Sequence, residues 1–266
     1  MSETSSIDIT ETDGWLQLDA GRLFFRSWTP EPGGAGGATP IILFHDSLGC
    51  VELWRSFPAT LAAVTGRRVL AYDRLGFGRS DPHPGELGPG FICAEGEHVV
   101  PRLCAEAGIG RFVACGHSVG GGMAVETAAR WPDRCEKLVT IAAQAFVEER
   151  TLDGIRVAKR DFEDPASVVR VARYHGDKAR WVINAWIETW LRPDFAGWTL
   201  DAGLAGVRCP VLAVHGDGDE YGSLEHPRRI AAGRGRTHIF TGIGHVPHRE
   251  CERELADVID AFLKAE

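Results

Sequence analysis

The segment Gly116-His117-Ser118-Val119-Gly120 carries the clearest chemical signal in the sequence. A serine with glycines two positions away on both sides fits a tight turn between a strand and a helix. Cys115 ends an apolar run typical of a buried strand, and residues 121–125 open a helical pattern. Such an elbow holds the Ser118 hydroxyl at the tip of a sheet and points backbone N–H groups of the helix start toward it. The pattern therefore predicts a nucleophilic serine rather than a glycine-rich turn with an incidental serine.

A serine nucleophile requires a general base, which for this kind of elbow follows the acid in the chain. His245 stands in a glycine-flanked loop, 241–247, directly after the last strand-like run. We therefore predict His245 as the base, with His248 as the alternative. His215 ends an earlier strand-like run and is predicted to be a packed structural histidine.

The acid that orients the base is expected in the loop after the strand-like run 211–214. This loop reads His-Gly-Asp-Gly-Asp-Glu, so Asp217, Asp219 and Glu220 compete for the role. We predict Asp219, with Asp217 as the alternative, and interpret the remaining carboxylates as parts of a solvated turn. The other possible acid position, after the preceding strand-like run, holds Gln144 rather than a carboxylate.

The loop 45–49 could complete the site, because it follows a short apolar run and reads His-Asp-Ser-Leu-Gly. Acyl-transfer sites stabilise a developing oxyanion with paired N–H groups. We predict that the backbone N–H groups of Ser47 and Val119 form this oxyanion hole. For His45 and Asp46 we expect local hydrogen bonds that hold the loop in shape.

The elements that must position these residues alternate along the chain. After a predicted hairpin over 14–28, short apolar runs typical of strands buried on both faces alternate with helical patterns. The runs are 41–44, 68–72, 111–115, 138–142, 211–214 and 237–240, and the helical patterns are 53–64, 92–107, 119–130, 225–232 and 251–264. This alternation predicts an α/β fold in which helices cover both faces of a parallel sheet.

Residues 145–206 break this alternation. They contain no convincing strand and hold four of the eight tryptophans. Trp186 and Trp190 lie on an apolar stripe with helical spacing, which must be buried against something. We expect a helical insertion between two sheet strands. Two interpretations of the stripe stay open: it packs the insertion on the sheet, or Trp186 and Trp190 bind substrate as a roof over Ser118.

Composition excludes several classes of function. The chain has 266 residues, of which 44% are hydrophobic and 25% charged, and its formal net charge is −8. It lacks a dense block of lysine and arginine, which argues against nucleic acid as a partner. No run of about 18 apolar residues is present, so no membrane-spanning helix is predicted. The first 14 residues are polar and acidic without an apolar core, so we expect a cytoplasmic protein without a secretory signal.

No motif supports a metal or nucleotide cofactor, and none is expected. The seven cysteines are scattered and form no CxxC pair, so we expect buried reduced thiols rather than a zinc or redox site. Residues 72–80 contain GxG after a strand-like run, but the rest of a dinucleotide fingerprint is missing. A structural turn is therefore our interpretation of this segment.

Five motifs in order, FHDSLG, AYDRLGFGRSD, CGHSVGGGMA, VHGDGDE and GIGHVPH, resemble the α/β-hydrolase superfamily over about residues 14–264. The resemblance implies a mostly parallel eight-stranded sheet with a helical cap inserted between strands 6 and 7. It further implies a single domain over 1–266, with its core at about 14–144 and 207–264 and the cap at about 145–206. By this resemblance Ser118, Asp219 and His245 match nucleophile, acid and base.

The loop Asp46-Ser47-Leu48-Gly49 is similar to the Asn-Ser-Leu-Gly loop of 3-oxoadipate enol-lactone hydrolases, and Trp54 stands near a tryptophan position of those enzymes. We therefore expect a serine hydrolase that cleaves a small carboxylic ester or lactone. Its expected substrate is an apolar or cyclic small molecule rather than a macromolecule. Two alternatives on the same fold are C–C bond hydrolysis and cofactor-free oxygenation, with His245 deprotonating the substrate. A third alternative is a non-catalytic ligand receptor.

Overall fold

Short runs of aliphatic residues form the buried strands at the centre of the molecule. The computed structural model describes residues 7–31, 38–233 and 235–265. All residues of the central strands Ile41–Phe44 and Val69–Tyr72 are buried, as expected for strands covered on both faces. The eight strands are β1 Asp8–Leu18, β2 Gly21–Glu31, β3 Ile41–Phe44, β4 Val69–Tyr72, β5 Phe112–His117, β6 Cys135–Ile141, β7 Val211–Gly216 and β8 Gly235–Phe240.

These strands form one sheet with the order β1-β2-β4-β3-β5-β6-β7-β8. The first two strands form the predicted hairpin, in which Leu18 pairs with Gly21, and β2 runs antiparallel to both of its neighbours. All other neighbouring strands are parallel. The predicted eight-stranded, mostly parallel sheet is therefore confirmed.

Helices connect the strands and cover the sheet. They are α1 Phe57–Thr65, α2 Phe91–Ala94, α3 Val100–Glu106, α4 Val119–Arg130, α5 Glu149–Asp161, α6 Pro165–His175, α7 Ala179–Leu191, α8 Asp201–Gly206, α9 Glu225–Ile230, α10 Pro247–Glu250 and α11 Glu252–Lys264. A π-helical turn spans Glu95–Val99, and 3-10 turns span Val51–Trp54, Gly176–Lys178 and Pro193–Phe195.

Alternate side chains of each central strand point into two separate apolar cores. Ile42 and Phe44 of β3 pack in one core with residues of α3, α4 and the helices between β6 and β7. Ile41 and Leu43 pack in the other core with residues of α1 and α11. Because side chains of a strand alternate between faces, this division confirms that helices cover both sides of the sheet.

Two predicted helices are interrupted. The helix expected over 53–64 is a 3-10 turn followed by α1, because Arg55 between them adopts a left-handed conformation with φ of 55°. The helix expected over 92–107 contains the π-helical turn, which ends two residues before Pro101. Proline has no N–H to donate to the carbonyl four residues earlier, so the regular α-helical bonding cannot continue there.

The segment between β6 and β7 contains α5, α6, α7 and α8, as predicted for a helical insertion. A single bridge between Phe146 and Thr199 joins its two ends. The boundaries of core and cap at about 145 and 206 stay a prediction. Within the part of the chain that the structure describes, no helix is both long and apolar enough to cross a lipid bilayer.

Candidate active site

Ser118 occupies a sharp turn between β5 and α4. Its backbone angles are φ 54° and ψ −126°, a conformation that residues with a side chain rarely adopt. Two hydrogen bonds fix the turn: the Ser118 N–H donates to the Ile141 carbonyl at 2.9 Å, and the Gly121 N–H donates to the Ser118 carbonyl at 2.8 Å. A strained residue held this firmly is typical of functional sites.

The glycines on either side of Ser118 permit close approach of backbone to backbone. A Cβ atom on Gly116 would lie 2.0 Å from the Gly120 carbonyl oxygen, and a Cβ on Gly120 would lie 2.1 Å from the Phe44 carbonyl oxygen. Neither position can therefore carry a side chain unless the backbone moves. These contacts press the first turn of α4 against β3 and β5, which places Ser118 at the edge formed by the carboxyl ends of the parallel strands.

The structure brings Ser118, His245 and Asp219 together at this edge. The Ser118 Oγ lies 3.1 Å from His245 Nε2, and His245 Nδ1 lies 2.8 and 3.0 Å from the two carboxylate oxygens of Asp219. Because a carboxylate only accepts hydrogen bonds, Nδ1 carries the hydrogen and Nε2 accepts from the serine hydroxyl. The three side chains follow β5, β8 and β7, so parallel strands bring together residues that are far apart in the chain.

Asp219 is ionised and held in place by several donors. The backbone N–H groups of Tyr221 and Gly222 donate to its Oδ1 at 2.7 and 3.1 Å. Burial alone would raise the pKa of Asp219, but hydrogen bonds from His215 and His245 outweigh it and hold that pKa well below its usual range. The carboxylate can therefore stabilise a positively charged imidazole beside it.

His245 is surrounded by negative charge. Burial acts to lower its pKa, but the hydrogen bond and the charge of Asp219, with further contributions from Asp46 and Glu220, raise it above its ordinary value. The proton that His245 takes up during a reaction is therefore stabilised by its surroundings.

His215 contacts the predicted acid from the other side. It is fully buried, and its Nε2 lies 3.1 Å from Asp219 Oδ2 and 3.2 Å from the Gly222 carbonyl oxygen. The sequence predicts only a packed histidine here, and its contact with Asp219 was missed. Asp219 thus lies between two imidazoles.

The alternative residues lie away from Ser118. His248 is buried against the rings of Trp54 and His117, with ring centroids 4.7 Å apart in both cases. Burial lowers the pKa of His248 well below its ordinary value. Asp217 is exposed and accepts a hydrogen bond from the Gly242 N–H at 2.7 Å, which is the solvated turn expected for the carboxylate that is not the acid.

The two predicted oxyanion donors, the N–H groups of Ser47 and Val119, have no acceptor among the described residues. Both residues line a cavity of about 10 Å³ beside Ser118. The Asp46 carbonyl oxygen anchors the loop that carries Ser47, because it accepts from the Arg74 Nη2 at 2.8 Å and lies 2.8 Å from His45 Nδ1. His45 therefore contacts the loop as expected.

A larger cavity of about 260 Å³ opens directly onto Ser118. Its lining combines apolar and polar side chains from the sheet edge and the helices between β6 and β7: Asp46, Ser47, Leu48, Ser118, Gln144, Thr151, Ile155, Trp186, Trp190, Glu220, Tyr221, His245 and Val246. Both tryptophans of the predicted stripe belong to this lining, and Trp190 also packs against Phe195 and Trp198. The stripe therefore both packs the insertion and faces the cavity.

Three residues near Ser118 and His245 were missed by sequence reasoning. Gln144 Oε1 lies 3.4 Å from the Ser118 Oγ, and the Tyr221 ring lies 4.9 Å from the His245 ring. The Glu250 carboxylate accepts from the N–H groups on both sides of His245, at 2.8 and 3.0 Å. The only signals in the sequence are their positions: Gln144 follows β6, Tyr221 follows the predicted acid and Glu250 follows the predicted base.

Comparison with known proteins shows what the chain is similar to. Residues 39–165 match the family described as alpha/beta hydrolase fold. The chain is 33% identical over 108 residues to an sn-1-specific diacylglycerol lipase from Danio rerio, covering 41% of this chain but only 32% of the lipase. It is 21% identical over 258 residues to the 2-hydroxy-6-oxo-6-phenylhexa-2,4-dienoate hydrolase of Comamonas testosteroni, covering 86% of this chain and 89% of that protein.

The crystal structure of the enol-lactonase from Burkholderia xenovorans LB400 has the same fold, with a TM-score of 0.71 at 21% identity, covering 95% of this chain and all of that one. Residues 39–165 thus match the α/β-hydrolase family, and the chain as a whole has the α/β-hydrolase fold that its motifs indicate. These relatives carry different activities, so the reaction must be inferred from the site itself.

Proposed function

We propose that this protein is a serine hydrolase that cleaves small carboxylic esters or lactones through an acyl-enzyme. The observation that carries the proposal is the continuous chain of contacts from the Ser118 Oγ through His245 to Asp219, at 3.1 and 2.8 Å, at the floor of a cavity. A hydroxyl, a base within hydrogen-bond reach and an acid that orients the base are what nucleophilic attack on a carbonyl requires.

In this mechanism the Ser118 Oγ attacks the substrate carbonyl carbon while its proton passes to His245 Nε2. The carbonyl oxygen becomes an oxyanion and accepts hydrogen bonds from the unpaired N–H groups of Ser47 and Val119. His245 then protonates the departing alkoxide as the C–O bond of the ester breaks. In the second half His245 takes a proton from water, and the hydroxide attacks the acyl-enzyme. As the bond to the Ser118 Oγ breaks and the acid leaves, His245 returns this proton to the Ser118 Oγ.

Asp219 serves this cycle by holding the His245 ring in the tautomer whose Nε2 can accept a proton. Its two oxygens both contact Nδ1, which fixes the direction of the ring. The negative charge of the carboxylate also stabilises the imidazolium that forms during both halves of the reaction.

The cavity supports a small substrate. At about 260 Å³ it lies below the usual volume range of drug-sized sites, and Trp186 and Trp190 close one side of it. Flat, rigid walls favour compact or cyclic acyl groups, because rigid groups lose less conformational freedom on binding.

The match to a dienoate hydrolase makes C–C bond hydrolysis the second candidate. A dienoate carries a carboxylate, which a basic side chain would be expected to hold. Among the described residues, no lysine or arginine lines the 260 Å³ cavity, so the lining favours hydrolysis of an ester or lactone that carries no carboxylate.

The test is a panel of short-chain p-nitrophenyl esters, lactones and dienoate ketones assayed with the wild-type protein and with Ser118→Ala. We expect ester or lactone turnover, and a loss of about 10³-fold or more in the variant while circular dichroism stays unchanged. A fluorophosphonate probe should label the wild-type protein and a Ser56→Ala control, whose serine is exposed and hydrogen-bonded to Glu252, but not Ser118→Ala. Full ester turnover by a folded Ser118→Ala variant would refute the mechanism.

A further inference from the structure

The charges that line the cavity are negative, whereas an anionic substrate would need positive charges. Two carboxylates, Asp46 and Glu220, belong to the lining, and no lysine or arginine among the described residues accompanies them. A concave, partly apolar site lined by one sign of charge concentrates ligands of the opposite sign and repels those of the same sign.

Neither carboxylate forms an ion pair with a lysine or arginine in the described part of the chain. Glu220 forms no ion pair within the part of the chain that the structure describes, and the basic group within ion-pair distance of the Asp46 carboxylate there is His117, whose Nδ1 lies 3.8 Å away. Burial lowers the pKa of His117 to about 4, so this ring is neutral at pH 7 and offers no positive charge. Both negative charges are therefore available to a substrate.

A buried arginine lies near the site but cannot serve an anionic substrate. The Arg74 guanidinium donates to the Asp46 carbonyl oxygen at 2.8 Å and stacks 4.1 Å from the centre of the Phe77 ring. Its charge is balanced mainly by the half-buried Glu95 and to a lesser degree by Asp46. The space it lines measures about 10 Å³, which is room for a single oxygen atom or water molecule but not for a carboxylate group.

Aromatic faces accompany the two carboxylates. The rings of Trp186 and Tyr221 both line the cavity and meet edge to face, with centroids 5.9 Å apart. Indole and phenol rings attract cations over their faces, particularly quaternary or alkylated ammonium groups that are weakly hydrated. Carboxylates combined with aromatic walls form a lining suited to an alkylated ammonium group.

We propose that the preferred substrates are small esters that carry an ammonium group, held by Glu220, Asp46 and the rings of Trp186 and Tyr221, and that esters carrying a carboxylate are rejected. This inference rests on the proposed ester hydrolysis at Ser118 and adds the charge class of the substrate.

Three methyl esters of equal shape test the proposal: methyl 4-(dimethylamino)butanoate, methyl 5-methylhexanoate and monomethyl glutarate. They place an ammonium, an isopropyl or a carboxylate group at the same distance from the carbonyl. With acid release measured by pH-stat at pH 7.5 and low salt, we expect kcat/KM to fall in that order, by about tenfold or more at each step.

Glu220→Gln removes one charge without removing a hydrogen bond, because no hydrogen bond to the Glu220 side chain is present in the described structure. We expect the ammonium-to-isopropyl ratio of kcat/KM to fall about tenfold in this variant, and to fall also in Asp46→Asn. The ratio cancels any effect on His245 that is common to the substrates. Glu106→Gln is the control, because it changes the net charge by the same amount. Glu106 lies at the end of α3, near the amino end of β5 and therefore at the opposite edge of the sheet. This variant should leave the ratio unchanged.

An ammonium-to-isopropyl ratio at or below one, or a ratio that Glu220→Gln and Asp46→Asn leave unchanged, would overturn the charge preference while leaving ester hydrolysis intact. The absence of Ser118-dependent turnover for all three esters and for the p-nitrophenyl ester panel would instead refute the proposed function. The two failures are therefore distinguishable.

Discussion

Helix α4 begins with three consecutive glycines whose surroundings differ sharply, and this difference predicts opposite effects of the same substitution. A Cβ atom on Gly122 would lie 3.4 Å from Ile92 Cγ2 and 3.6 Å from Leu200 Cδ2, which are ordinary van der Waals contacts. Alanine is favoured over glycine in a helix by about 0.8–1 kcal/mol. We therefore expect Gly122→Ala to stabilise the fold by about 1 kcal/mol, which raises the Tm of a chain this long by about 2 °C.

Gly120→Ala should have the reverse effect. Its Cβ would lie 2.1 Å from the Phe44 carbonyl oxygen and 2.6 Å from that of His45, and both obstacles are backbone atoms. The helix start must move away from β3 to relieve the overlap, at a cost of at least about 3 kcal/mol, or a loss of about 6 °C or more in Tm. The same movement separates the N–H groups of Val119 and Ser47, so turnover should fall by about 10²-fold even where the variant is folded.

Thermal unfolding followed by circular dichroism, combined with ester turnover at 25 °C, measures both effects. Gly122→Ala is the matched control, since it makes the same chemical change two residues further along α4 and should keep turnover within about twofold of wild type. A lower Tm for Gly122→Ala, or a Gly120→Ala variant with wild-type Tm and turnover, would refute the reasoning from backbone contacts.

Three further predictions concern the reaction. As pH rises, kcat/KM for a neutral ester should increase while His245 loses its proton, with a midpoint above the ordinary histidine pKa of about 6.5. Glu220→Gln should move this midpoint to lower pH. A flat profile from pH 5 to 9 would contradict a histidine base. Asp219→Asn should lower turnover by about 10²–10⁴-fold and Asp217→Asn by less than about threefold, and the reverse ranking in steady-state assays would reassign the acid. For linear acyl chains, kcat/KM should decrease beyond roughly six carbons, and Trp186→Ala should shift this limit to longer chains; activity that climbs steadily toward long-chain esters would contradict a closed cavity.

The sequence was sufficient for the features that depend on local pattern. The run Ile41–Phe44 predicts a strand buried on both faces because every residue in it is apolar, and the structure confirms that strand. The elbow at Ser118 is predictable because the glycines at 116 and 120 leave room for backbone contacts that a side chain would block. In both cases the physical cause lies within a few residues of its effect.

Features that depend on contacts between distant segments could not be predicted in this way. Gln144 and Tyr221 lie in the cavity because β6 and β7 deliver their loops to the same sheet edge, and neither belongs to a recognisable motif. Glu250 binds the two N–H groups beside His245 only because α10 folds back on that loop. The left-handed conformation of Arg55, which divides a predicted helix, likewise leaves no mark in the local sequence.

The carboxylates around His245 connect the reaction with the choice of substrate. Asp219 raises the pKa of His245, and Asp46 and Glu220 add to this effect, which makes the imidazole a stronger base but confines its basic form to higher pH. The same two charges face the cavity, where they disfavour any substrate that brings a further negative charge next to the developing oxyanion. In the proposed mechanism two neutral N–H groups stabilise the oxyanion, so the site has little capacity to absorb that extra charge. The raised pKa of His245 and the proposed preference for positively charged esters therefore follow from one arrangement of charge.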